Sequence, residues 1–481
     1  MKGPNPGWLL YSTPIQLIIG HVFPANAPRC LMKRIILLFL AGAFACQGTR
    51  ADWQAGVAAM DITPSSPVPL AGYGGKTRLP SRVEHRIWLK ALAVSTGSGK
   101  PHVLVTADLV GLSPRMVEEI AARAKKLHGI QREQLILNYS HNHSCPVTAD
   151  VLWLYYDLSK DEEKARNEYT EKVYQAYAVV IGKALANLAP AKLSFGQGLA
   201  GFAVNRRRSR PGGRSLPGPV DHDVPVLAVR DIQTNTPRAI VFGYSCHTTA
   251  LSGSTINGDY AGYAQIDLEK RHPGALALFV QNCGGDANPL PRLMTNDGPQ
   301  ALALAASYGK TLAEGVAQAL AGTMTELEGS LQTAMGQTDL ALQAGKTAGQ
   351  LRAELPRSSG LAKRATQHLL RQWENGEPPG AVPYPVQVWS FGPKLTLFAL
   401  TGETVVDYSL RLKREHGFET TWVAGYNNDL LSYVPSRRVL GEGGYEGTEG
   451  MLEYGHRGPY MPDVEERIIR LANQLAARVK P

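Results

Sequence analysis

Short apolar runs that stop abruptly at polar, glycine-rich turns recur along this chain, and that rhythm restricts the fold more than any other feature. Leu135-Ile136-Leu137 leads into Ser140-His141-Asn142-His143-Ser144, and Arg238–Tyr244 into Ser245-Cys246-His247-Thr248. Ala275–Val280 leads into Asn282-Cys283-Gly284-Gly285-Asp286, and Leu395–Leu400 into Thr401-Gly402-Glu403. Runs of this length, bounded by turn residues, read as buried strands. Between them, Pro114–Leu127, Tyr169–Leu188 and Val405–Leu412 have helical spacing. The alternation predicts an α/β (mixed α+β) fold with β-sheets flanked by helices. Gln300–Trp373 is rich in Ala, Leu, Gln and Lys and reads as mainly helical, with Ala341–Glu354 a surface excursion. Further strands are expected at His102–Asp108, Val386–Phe391 and Thr421–Ala424, and a terminal amphipathic helix after Pro462-Asp463. No linker or repeat interrupts residues 52–481, so one large domain is the simplest organisation.

Residues 1–51 differ in kind. They hold five basic groups and no acid, and Met32-Lys33-Arg34 precedes the short apolar run Ile35–Ala45. That is the form of an export signal, with Met32 as the natural start and cleavage after Ala45 or Ala51. Cys46 after Ala45 raises a lipid-anchored alternative, against which Phe44 speaks. The segment also supplies over half of the net charge of +9; without it the balance is +4 and gives no reason to expect nucleic acid. Three cysteines remain downstream, Cys145, Cys246 and Cys283. They are too few for a disulfide framework and read as buried thiols, with one disulfide or a thiol beside a metal as alternatives.

Chemistry collects where the apolar runs end. In an extended segment His141 and His143 project to the same side, so two imidazoles can face one cavity. Imidazole binds zinc, and a zinc site with one open position activates water. His247, Glu403 and Tyr433 follow other strand ends and can complete such a site. Each also has a plainer reading: His247 as a hydrogen-bonded core histidine, Glu403 as a helix cap, Tyr433 as packing. Asp221-His222-Asp223 sets three ligand types in a row, a pattern that more often caps turns. The basic run Arg206–Arg214 suits phosphate or an anionic lipid surface, or is a solvated loop.

Taken together and in order, these pieces resemble the neutral/alkaline non-lysosomal ceramidases. The shared stretches include Ala55–Pro64, Thr106-Ala107-Asp108, His141-Asn142-His143-Ser144, Val204-Asn205-Arg206, His247, Gly258-Asp259, Cys283–Asp286, Gly402-Glu403 and Tyr445-Glu446-Gly447. The resemblance implies a catalytic domain of that type and hydrolysis of the linear amide of N-acylsphingosine to a fatty acid and a sphingoid base. It implies one Zn²⁺ per chain on His141, His247, Glu403 and Tyr433, with His143, Arg206, Asp259 and Tyr445 around the reaction centre. A water on such an ion loses its proton near neutral pH and attacks the amide carbonyl. The implied partner is a lipid or N-acyl amide, with peripheral membrane contact where the substrate is a lipid. Two departures matter. The family's serine before the aspartate is Gly258 here, which removes a serine nucleophile and leaves metal-activated water. The family's C-terminal immunoglobulin-like domain has no counterpart before Lys480, which leaves a non-lipid amide or an ester open as substrate. A non-catalytic binding homologue is the remaining alternative, against which the retained ligand set argues.

Overall fold

The computed structural model describes residues 53–480 apart from 75–76, 98, 209–217 and 293–296. The export signal, Cys46 and most of the basic run lie outside the described residues. From residue 51 onward the chain packs as one compact unit. Its spine, among the described residues, is a thirteen-stranded sheet. From one edge the strands are Leu276–Gln281, Pro237–Tyr244, Asp223–Asp231, Ala189–Leu199, Trp53–Asp61 and Trp88–Thr96. The order continues through His102–Ala107, Leu135–Tyr139, Thr421–Asn427, Thr396–Thr401 and Ala381–Phe391 to Leu331–Ala341. Thr325–Glu326 pairs alongside Ala189–Leu199.

The sheet curls until its edge faces its middle. Trp53, Leu104, Leu227, Val280, Trp389 and Trp422 come from strands far apart in that order, yet they share one buried cluster. Asn138 closes the curl by acting as a strand partner for Gln281: its Oδ1 accepts the Gln281 N–H at 2.8 Å and its Nδ2 donates to the Gln281 carbonyl. Helices cover the outer faces. Pro114–His128 and Lys160–Ala186 pack over the Trp53–Tyr139 strands, and Asp259–Arg271 and Pro299–Ala321 over the Asp223–Gln281 strands. Val406–His416 and Val464–Val479 cover the remainder.

Within the large sheet, three pairs among the described residues are parallel: His102–Ala107 with Leu135–Tyr139, Pro237–Tyr244 with Leu276–Gln281, and Thr396–Thr401 with Thr421–Asn427. Parallel pairing aligns carboxyl ends, and the curl brings those ends to one crevice. The sequence can be read in the helices too. Ser113 accepts the Met116 N–H at 3.2 Å, Met116, Val117, Ile120 and Ala124 form the buried face, and Gly129 ends the helix at φ 72°.

Two expectations need correction. The Gln300–Trp373 stretch is not mainly helical throughout, because Leu331–Ala341 is a strand antiparallel to Ala381–Phe391. Its composition has weak strand propensity; the neighbouring strand, which buries Leu331, Ala334 and Leu340, decides the conformation. The helix expected from Tyr169 starts at Lys160. Its first turns have no apolar stripe and are nucleated by a capping box between Ser159 and Glu162. Among the described residues no helix is long and apolar enough to cross a membrane.

Candidate metal centre and active site

The aligned strand ends gather the residues that matter. His141 follows Leu135–Tyr139, His247 follows Pro237–Tyr244, and Glu403 follows Thr396–Thr401. Their ligand atoms lie within 4.8 Å of one another, and all three residues are buried. Glu403 Oε2 is 3.2 Å from His141 Nε2 and 3.0 Å from His247 Nε2.

The backbone sets the charge state of this cluster. His141 Nδ1 sits 2.7 Å from the Val110 carbonyl, and His247 Nδ1 sits 2.7 Å from the Gly284 carbonyl. A carbonyl only accepts, so each Nδ1 carries the proton and each Nε2 presents a lone pair. Two lone pairs and a carboxylate oxygen therefore converge with no donor among them. Burial, then the charge of Arg206, lowers the His247 pKa to about 4, so imidazolium does not resolve the conflict at neutral pH. A cation does. Two imidazoles and one carboxylate suit zinc, and their other atoms are fixed as metal ligands require. Glu403 Oε1 accepts the Tyr454 hydroxyl, and the Tyr426 hydroxyl reaches Oε2 at 3.3 Å.

The His-x-His motif converges by a different route from the one expected. The strand ends at Tyr139, and His141 takes a left-handed φ of 57°. For a residue with a Cβ such a conformation costs about 1–3 kcal/mol and is concentrated at functional sites. The turn, not strand alternation, brings His143 Nε2 to 3.0 Å from His141 Nε2. His143 packs edge-on against Tyr73, and Gly72 (φ 91°) lies under its ring, where a Cβ would come within 2.3 Å of the imidazole. Burial holds the His143 pKa well below its ordinary value. That histidine is neutral at neutral pH.

Tyr433 and Arg206 border the cluster. The Tyr433 hydroxyl is 3.4 Å from His247 Nε2 and accepts from Arg206 Nη2 at 3.1 Å. Arg206 is in turn held by Glu446, which also pairs with Arg207. Tyr433 and Arg206 line a cavity of about 450 Å³ together with His143, Tyr445, Glu453 and Tyr454. Tyr445 stands at its wall with the hydroxyl donated to Glu453, which also accepts from Tyr155.

Asp259 stands apart from that lining. Its carboxylate accepts the N–H groups of Ala250, Leu251 and Tyr260 and so anchors the loop that follows His247. Gly258 is likewise absent from the lining, and a Cβ there would meet the Gly262 Cα at 2.8 Å. The local backbone is shaped for glycine. Cys145, Cys246 and Cys283 are all free and buried, which excludes the disulfide alternative. Tyr454, Tyr426, Glu446 and Glu453 escaped motif reasoning as site residues. Glu446 lay within the quoted Tyr445-Glu446-Gly447, whereas Tyr454 and Glu453 carry no local signature.

A sequence profile for the N-terminal region of neutral/alkaline non-lysosomal ceramidases matches residues 53–335. The chain belongs to that family. The match contains His141, His143, Arg206, His247 and Asp259, whereas Glu403, Tyr433 and Tyr445 lie beyond it. The fold is similar to that of the neutral ceramidase from Pseudomonas aeruginosa, with a TM-score of 0.70 over 90% of this chain and 75% of that one, at 20% identity. A ceramidase structure complexed with C2 matches at a TM-score of 0.67 over 89% of this chain and 76% of its own, at 18% identity. No curated protein matches the sequence. As in those ceramidases, the architecture is a mixed α/β sheet flanked by helices.

Proposed function

We propose that this ceramidase-family chain is an exported, zinc-dependent hydrolase that cleaves the linear amide of an N-acyl compound. The observation that carries the reading is the convergence of two imidazole lone pairs and the Glu403 carboxylate on one point, with no donor among the three. His141, His247 and Glu403 would hold the ion, and Tyr433 is the neighbouring oxygen able to join them. Zinc bound there would polarise the amide carbonyl and acidify water.

The chain's own groups divide the rest of the work. Hydrolysis places hydroxyl on the acyl carbon and a proton on the leaving nitrogen. His143 is neutral and lies beside the cluster, so it can take a proton from the attacking water and hand it to that nitrogen. Arg206 stays protonated, and Glu446 fixes it so that it orients the Tyr433 hydroxyl. Tyr445 can donate to the developing oxyanion only by leaving Glu453. The reaction needs no serine at position 258.

Family membership supports ceramide as substrate, and a smaller N-acyl amide or an ester is the alternative. The test is zinc content by mass spectrometry together with turnover of ceramides of several acyl lengths and of short N-acyl amines. About one zinc per chain and amide cleavage that is abolished in His141→Ala is the expected result. A His141→Ala protein that still hydrolyses amides would overturn it, and zinc binding without turnover of any amide or ester would favour a binding homologue. Export predicts a mature N-terminus after Ala45 or Ala51, readable by terminal sequencing.

A further inference from the structure

One wall of the cavity carries a positive charge that the reaction outlined above does not use. Arg292 lines the cavity and is partly exposed to it. Its Nε donates to the Thr249 carbonyl at 2.6 Å and its Nη2 to the Tyr73 hydroxyl at 3.1 Å. Both acceptors are neutral, and among the described residues no carboxylate pairs with it. Arg206, across the same cavity, is neutralised by Glu446. Arg292 feels the charge of Asp259, but that carboxylate is taken up by three backbone N–H groups. The Arg78 guanidinium, 4.9 Å from the Tyr73 ring centre and held by the Ala71 and His143 carbonyls, adds positive charge on the same side.

A half-buried guanidinium with only neutral partners is costly unless an anion completes it. Its planar fork matches a carboxylate. Among the described residues the remaining wall offers little to a pair of long hydrocarbon chains: five tyrosines dominate, and Leu152 and Leu361 are its aliphatic side chains. Resting on the amide-hydrolase reading, we infer that Arg292 binds a carboxylate of the substrate, so that the chain acts on N-acyl amides that bear an acid, such as N-acyl amino acids. Arg292 sets specificity; it takes no part in bond cleavage.

The test compares N-hexanoylglycine with N-hexanoylethanolamine on zinc-loaded protein, a pair matched in acyl chain and amide that differs in carboxylate against hydroxymethyl. One charge-assisted contact predicts a kcat/KM ratio favouring the glycine conjugate by about 10- to 100-fold. Arg292→Gln is expected to bring that ratio close to one, largely through KM, and Arg292→Lys to retain part of it. The ratio is independent of how much protein is folded, so partial misfolding cannot imitate the result. A wild-type ratio near one, or an equal ratio in Arg292→Gln, overturns the proposal. Should neither amide be cleaved, turnover of ceramides and esters shows whether the hydrolase reading fails separately. Calorimetric binding of the same two compounds then decides: the anchor stands if Arg292→Gln abolishes the preference for the carboxylate, and falls if wild type and variant bind both alike.

Discussion

Two buried polar clusters of this protein look alike in composition and differ in balance. In the first, Asp221 accepts from Lys413 Nζ with both oxygens at 2.7 and 2.9 Å, and from the hydroxyls of Ser409 and Ser245. Asp223 pairs with the same ammonium at 2.8 Å. Burial would lower the Lys413 pKa, yet the two aspartates raise it above its ordinary value. Both carboxylates there touch the one Lys413 ammonium, and each buried acceptor of Asp221 meets a donor. In the second, His141, His247 and Glu403 turn acceptors toward one another and leave a positive charge wanting. Glu403 is fully buried there, among the described residues, with no cation beside its Oε2 atom. The first cluster matches acceptors with donors, whereas the second gathers acceptors that a cation could complete.

The largest expected effect breaks the unbalanced cluster. Glu403→Ala or His247→Ala should lower kcat/KM by roughly a thousandfold or more and remove the bound zinc, measured by metal analysis of the folded protein. Zinc retained in both variants would show that the ion sits elsewhere.

Next comes the balanced cluster. Lys413→Met strands the buried carboxylate of Asp221 and should cost about 3–5 kcal/mol in denaturant unfolding, with zinc stoichiometry of the folded fraction intact. Adding Asp221→Leu should recover much of that loss, because removing both partners is far cheaper than removing one. A zinc deficit in the single variant would erase the distinction drawn here.

A smaller effect sharpens the comparison at the metal centre itself. Tyr454→Phe deprives Glu403 Oε1 of its hydroxyl and should weaken zinc affinity by about 10–100-fold in a competition titration, with folding retained. Smallest of all, Asp259→Asn should cost about 1–3 kcal/mol of stability by impairing the loop contacts to Ala250 and Leu251. Its zinc content should match wild type; a loss of metal would place Asp259 in the site rather than beside it.

The legibility of the two clusters in the sequence was uneven. Asp221-His222-Asp223 carried three ligand types in a row, but its acids answer to Lys413, some 190 residues later, and His222 Nε2 contacts the Ala203 carbonyl. Nothing local distinguishes that triplet from a metal site. The strand-end positions of His141, His247 and Glu403 were visible because each closes an apolar run. Their charge state was not, since it depends on the Val110 and Gly284 carbonyls. Tyr454 and Arg292 had no signature at all, because each acquires its meaning from a neighbour distant in the chain.

What the sequence alone determined is the set of elements: apolar runs that must be buried as strands, capped helices, and polar residues at the strand ends. Periodicity and capping act over a few residues, so they survive without knowledge of the fold. Only the tertiary structure decided which strand ends meet, that Leu331–Ala341 is a strand, and that His141 turns left-handed to bring His143 alongside. Those outcomes depend on long-range pairing and on where each carbonyl points, and no local stretch of residues encodes them.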